Sequence, residues 1–283
     1  MAITSANNKI NKLIWGIFIF LVALAALKIL GDLLHLNLID NNWHTALFYA
    51  ASLILLVLHS FQTLFPARAL FFIMAASGVG LIMEILGLKF GVPFGGHYAY
   101  NPIQASILNV PLSIPLFWSV FIYTGYSIVN SYLKWLNIRK PNLRENNLKL
   151  LPLLIIADSL IVVAIDLFMD PLQVRMSNWA WLEGGPYFGV PIGNFIGWLM
   201  VAALVSAIFR TYEYCFPKEN NHLDPSLYLI LVSGYGLFAI SFAFIAVNFK
   251  MFSLAVLGLS IMLPTVIINL VLYKNYFRNK HRS

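Results

Sequence analysis

Runs of roughly twenty apolar residues recur about eight times along the chain, near 13–31, 43–64, 68–87, 110–133, 149–169, 191–211, 226–247 and 252–273. A helix needs about 20 such residues to cross about 30 Å of hydrocarbon. Backbone polar groups in lipid must be satisfied within the segment, and uniformly apolar runs of this length fit helices rather than the alternating strands of a barrel. Composition agrees: 60% of the 283 residues are hydrophobic and 10% charged, with mean hydropathy +0.80, against about 45–50% and about 25% in soluble domains. A soluble fold and intrinsic disorder are both excluded. The expected class is all-α: one integral membrane domain over 1–283, a polytopic bundle of about eight transmembrane helices with two long external loops.

The formal charge of +7 does not point to nucleic acid, because the basic residues flank the apolar runs. Of 18 Lys and Arg, only Lys28, Lys89, Arg175 and Lys250 fall on one side of the expected membrane; the rest, including Arg68, Arg144, Arg210 and Arg282, fall on the other. That excess predicts a multi-pass protein of the cell membrane with both termini cytoplasmic. Lys12 before an apolar stretch ending near Ala23-Leu24-Ala25 also fits a cleaved leader. The single cysteine, Cys215, precludes an internal disulfide or a thiolate metal cluster.

Two expected external loops are more particular than plain connectors. The first follows Glu84 and carries His97, Tyr98 and Tyr100; the second follows Asp170-Pro171 and carries Trp179, Trp181, Tyr187 and Phe188. Each leads into a helix through Val-Pro followed by Trp at the same interval: Val110-Pro111 with Trp118, and Val190-Pro191 with Trp198. Proline suits the first helical turn, where its missing N–H is not needed. This reads as an internal repeat, 68–133 and 149–211, that brings both loops to one membrane face.

Acids are few, 11 in all, so their positions inform. Asp166 and Asp170 share a helix face and Asp158 lies about 80° round from Asp166. A carboxylate within hydrocarbon must face a partner or a cavity. Asp158 and Asp166 could be structural partners of polar neighbours, and Asp170 a helix-end group in water. The repeat sets Glu84 opposite Asp166 and Asp170. Burial and like-charge proximity then favour a protonated acid beside an ionised base. Tyr98, Tyr100, Trp179, Trp181, Tyr187 and Phe188 could be interfacial anchors, or the wall of an apolar pocket whose ring faces stabilise a cation. His97 alone reads more simply as a hydrogen-bonded interfacial residue.

Several chemistries lack their residues. The six histidines do not cluster, the last two apolar runs contain no lysine, and no Walker or dinucleotide motif occurs. No metal and no cofactor is expected.

These motifs resemble the membrane carotenoid hydratases across roughly residues 80–200. The resemblance rests on Glu84, Gly87, Phe94-Gly95, Tyr98, Tyr100, Val110-Pro111 and Trp118, then Asp170-Pro171, Trp179, Trp181, Gly185, Tyr187-Phe188-Gly189, Val190-Pro191, Asn194-Phe195 and Gly197-Trp198. Gly96-His97 departs from the family pattern. The resemblance implies addition of water across the terminal isopropylidene bond of an acyclic or monocyclic carotenoid. Glu84, Asp166 and Asp170 would be the catalytic acids, with His97, Asn194, Trp118, Trp198 and the loop aromatics around the substrate. It also implies membrane lipids and other carotenoid-pathway enzymes as partners. Two alternatives remain: the Asp166-to-Asp170 spacing matches one magnesium-binding motif of membrane prenyltransferases, without the second motif, and a non-catalytic carotenoid or lipid binder would also carry structural acids.

Overall fold

The computed structural model describes residues 2–36, 41–102, 105–143, 145, 147–218 and 223–280. Arg144 and Arg282 of the basic set lie outside the described residues, as do His222 and His281. Eight helices run α1 Ala2–Leu34, α2 Asn41–Leu64, α3 Pro66–Phe90, α4 Ser113–Trp135, α5 Leu150–Arg175, α6 Ile192–Cys215, α7 Leu227–Asn248 and α8 Phe252–Lys280. The protein is an all-α polytopic bundle. Seven of these helices are long and apolar enough to cross a membrane. They turn large side chains such as Met74 and Leu153 outward, where lipid is the natural solvent.

The exception, α4, explains itself by position. It packs against α2, α3, α5, α6, α7 and α8, and every residue from Trp118 to Ser131 is buried. A helix wrapped by protein need not be apolar. Its hydroxyls turn back on its own carbonyls: Ser119 on Leu116 at 2.6 Å, Thr124 on Val120 at 2.8 Å and Ser131 on Ile128 at 2.6 Å. Helix α1 lodges against α2 and α7, burying Ile14 and Phe18 beside Leu227 and Ile230.

Three expectations need correction. Pro111 does not open α4: with Val110 it forms strand β3 (Val110–Pro111), paired with β2 (Ser106–Ile107), and the helix starts at Ser113. Pro191, by contrast, is the residue immediately before α6. Pro171 does not end α5, which continues to Arg175. A proline inside a helix leaves the carbonyl four residues back without its donor, and here the Tyr187 hydroxyl donates to that carbonyl of Leu167 at 3.0 Å. Arg210, counted with the flanking basic residues, is instead buried inside α6 against Asp158. Removing it from the count leaves the asymmetry with the same sign.

The two hairpins, α3 to α4 and α5 to α6, are tied at their loops by strands β1 (Tyr98–Tyr100) and β4 (Trp179–Trp181). These pair antiparallel, with Tyr98 opposite Trp181 and Tyr100 opposite Trp179. Gly95 and Gly193 let the first loop rest on the start of α6, since a Cβ on Gly193 would come within 2.5 Å of Gly95 Cα. Within the bundle, the rings of Trp118 and Trp198 meet at 4.1 Å between centroids, tilted by 33°.

Candidate active site

Successive residues of a strand face opposite ways, so Tyr98 and Tyr100 project to one side and Ala99 to the other. Both hydroxyls donate to Oε2 of Glu84, at 2.6 and 2.7 Å, and the indole N–H of Trp118 donates to Oε1 at 2.9 Å. Glu84 is therefore a buried carboxylate held by three donors from two elements. Burial first, and the Glu84 charge second, push the Tyr98 and Tyr100 hydroxyls well above their ordinary range. They remain donors at any working pH. Trp118 reaches Glu84 because Gly80 on α3 leaves space: a Cβ there would sit 2.6 Å from the indole.

Across from Glu84, Asp166 and Asp170 stand one turn apart on α5. Asn194, in the first turn of α6, donates its amide to Oδ2 of both, at 3.0 and 2.7 Å. The other oxygen of each carboxyl is buried without a hydrogen-bond partner among the described residues. Tyr187, half-buried beside this pair, has its hydroxyl pushed up to about 12 by burial and by Asp166.

Glu84 and Asp170 line one cavity of about 140 Å³, together with Tyr98, Tyr100, Trp118, Trp179, Trp181, Asn194 and Trp198. Its remaining wall is mostly apolar, including Phe117, Phe121, Met169, Phe238 and Phe242. Trp181 is fixed by donating its N–H to the carbonyl of Phe94 at 2.9 Å. The site thus combines carboxyls with oriented donors on one side and aromatic faces on the other.

Comparison with known sequences gives this cavity a context. The sequence model of the family described as carotenoid biosynthesis protein matches residues 43–265, a span that takes in every residue of the cavity wall. The chain belongs to this family. One relative, bisanhydrobacterioruberin hydratase of Haloarcula japonica, is 26% identical over 129 residues, or 45% of this chain and 40% of that one. The aligned stretch is thus less than half of the relative's length. No solved structure matches the chain.

In this carotenoid biosynthesis protein the residues expected from sequence divide by position. Nine surround the cavity as described. Asp166 stands behind Asp170 and reaches the site only through Asn194 and its neighbouring acid. Phe188 and Tyr187 pack on each other at 5.0 Å between centroids, outside the cavity wall. His97 is exposed, and its carbonyl accepts from the Leu182 N–H at 2.9 Å. Sequence reasoning missed Phe48 and Tyr49 on α2 and Phe238 and Phe242 on α7, which sit on elements with no motif to mark them. It also missed the β1–β4 ladder, although aromatic-Ala-aromatic occurs at both Tyr98–Tyr100 and Trp179–Trp181 and has the two-residue period of a strand.

Among the described residues no three His, Cys, Asp or Glu side chains gather as metal ligands. Asp158 is apart from the cavity, paired with Arg210 at 2.5 Å.

Proposed function

We propose that the protein is a carotenoid hydratase, adding water across the terminal isopropylidene double bond of an acyclic carotenoid end to give a tertiary alcohol. The observation that carries this reading is that Glu84 and Asp170, buried and without a basic partner among the described residues, face an aromatic cavity. The name of the Haloarcula relative supports it independently.

Roles follow from the donors. Glu84 accepts three hydrogen bonds, a setting that stabilises the ionised form. Asp166 and Asp170 are like groups one turn apart, each with one oxygen lacking a donor. One proton held between them gives both a partner and avoids two adjacent buried charges. Asp170 therefore acts as the acid. Its proton adds to the less substituted alkene carbon, and the π pair forms the new C–H bond. The cation on the tertiary carbon lies against the indole and phenyl faces of Trp179, Trp198 and Phe121. Water then forms the C–O bond, and its surplus proton passes to Glu84, from which it returns to the aspartate pair. The sum is alkene plus water to alcohol, with no electron transferred.

The test is expression in a lycopene-producing host supplied with isotopically labelled water. The expected pigment has gained one water, with the label in its oxygen and one solvent hydrogen on the adjacent carbon. Oxygen derived from O₂ would make the protein a hydroxylase and end this reading.

Orientation is part of the proposal. The basic asymmetry supports cytoplasmic termini, with β1, β4 and the mouth of the cavity near the opposite face. In a Cys215→Ser background, Glu183→Cys should react with an impermeant thiol reagent added from outside the cell. Labelling only after the cytoplasmic face is opened would invert the topology.

A further inference from the structure

A second cavity, of about 60 Å³, lies among α1, α2, α4 and α7. Phe48 and Phe238 line both cavities, and their rings meet edge to face, 6.2 Å apart between centroids and inclined at 69°. The second wall contains polar residues, but several of their polar atoms are already taken. Ser52 donates to the Phe48 carbonyl at 2.8 Å and Thr124 to that of Val120 at 2.8 Å. His59 has one ring nitrogen on Tyr123 Oη at 2.8 Å and the other on the Leu227 carbonyl at 2.9 Å. Tyr235 alone carries a buried hydroxyl with no partner among the described residues. The surface offered to a ligand is thus nearly all hydrocarbon and aromatic carbon.

We infer that the second cavity receives the conjugated chain of the substrate next to its reacting end, which passes Phe48 and Phe238 to reach it. The inference rests on the hydratase reading for its substrate class and deepens it. An acyclic carotenoid end cannot sit against Asp170 without its chain leaving the first cavity. The joint at Phe48 and Phe238 leads to a compartment with the right chemistry, apolar and edged by two aromatic rings. Phe48 and Phe238 are then specificity-determining residues, and Gly234 sets how far the chain can enter. A Cβ on Gly234 would meet only Phe18 Cε2, at 3.8 Å, so this position has room for a larger side chain.

The experiment measures lycopene co-purified with the full chain and, separately, alcohol formed. Gly234→Phe should lower bound lycopene and product at least tenfold while thermal stability stays near wild type, and Ile54→Phe, on the outward face of α2, should change neither more than about twofold. A stable Gly234→Phe protein with wild-type pigment and product overturns the inference. Should that variant fail to fold, photo-crosslinking decides instead. Benzoylphenylalanine at Leu55, on the second cavity's wall, should give a lycopene adduct, and at lipid-facing Ile54 it should not. A phospholipid adduct at Leu55, or none, rejects the chain site. Pigment binding and crosslinking are independent of turnover. Bound lycopene with no alcohol would therefore sink the hydratase reading while leaving the chain site standing, and alcohol without a Leu55 adduct would do the reverse.

Discussion

The two ends of the bundle treat buried carboxyls in opposite ways. Towards the basic end, Asp158 receives Nε and Nη2 of Arg210 at 2.5 and 2.6 Å and the Ser206 hydroxyl at 2.5 Å. Glu213 nearby receives Lys140 at 3.0 Å and the Tyr126 hydroxyl at 2.7 Å. At the loop end, Glu84, Asp166 and Asp170 form no ion pair among the described residues and are held by neutral donors alone. A compensated charge has little reason to exchange a proton, because losing its charge breaks the pair. An uncompensated carboxyl in the same hydrophobic setting has its two protonation states closer in energy, which is the requirement for acid–base work. The difference separates a structural lock from a candidate catalytic centre on one chain.

The largest effect that would break this contrast is expected at the loop end. Glu84→Gln and Asp170→Asn keep shape but remove a transferable proton or its acceptor. General acid–base catalysis contributes about 10²–10⁴-fold, and a simple alkene offers no easier route, so the upper part of that range is expected for each. Bound pigment and thermal stability should hold. If either variant hydrates at a wild-type rate, that residue leaves the mechanism.

At the basic end the signature should reverse. Asp158→Leu leaves Arg210 buried without its partner, a change that destabilises by about 3–5 kcal/mol, read as reduced thermal stability and yield. Adding Arg210→Met should recover much of the loss, because an apolar pair tolerates burial better than a single charge. Product formed per folded molecule should then approach wild type. A stable double variant with no activity would show that the lock also serves the chemistry.

How much of this contrast the sequence could reveal depends on whether the relevant signal is local. Eight helices, the two loops and the pairing of Glu84 with Asp170 were legible because apolar run length and rare acids are local signals. The partner of Asp158 was not: Arg210 reads as a flanking basic residue until α6 is set beside α5. Pro171 misleads for a related reason, since only the distant Tyr187 hydroxyl makes its place within α5 tolerable. Phe48 and Phe238 carry no pattern at all, and only packing brings them to the cavity. We propose that 68–133 and 149–211 are two copies of one unit within a single membrane domain. The β1–β4 ladder and the Trp118–Trp198 contact support this, while Pro111 lies in β3 and Pro191 directly precedes α6. Co-expression of 1–148 and 149–283 as separate chains tests whether the units associate through these contacts, and failure to recover a pigment-binding complex counts against it.

A smaller effect should come from thinning the donors around Glu84. Tyr100→Phe removes one of three hydrogen bonds to the carboxylate. Such bonds to a charged group contribute about 1.5–3 kcal/mol, but Tyr98 and Trp118 still hold Glu84. The lower end, roughly a tenfold loss of product formation rate, is expected, with bound pigment unchanged. A loss equal to that of Glu84→Gln would mean that Tyr100 itself handles the proton.

The smallest effect should fall on Lys140. Its side chain is 40% exposed, whereas that of Glu213 is 12% exposed, so the ion pair lies at the rim of the basic-end network. Lys140→Met leaves Glu213 its hydrogen bond from Tyr126 and the attraction of nearby Arg210. Exposed or rim pairs are worth about 0–1 kcal/mol, and a change of that size in unfolding free energy is the expected result, with hydration unaffected. The value discriminates between two pictures of the basic end. If Asp158–Arg210 is the lock and Glu213–Lys140 a peripheral contact, Lys140→Met and Asp158→Leu should be additive when combined. A penalty for Lys140→Met approaching that of Asp158→Leu would mean that all four charges act as one unit, joined through the Tyr126 ring that Arg210 overlies at 4.8 Å.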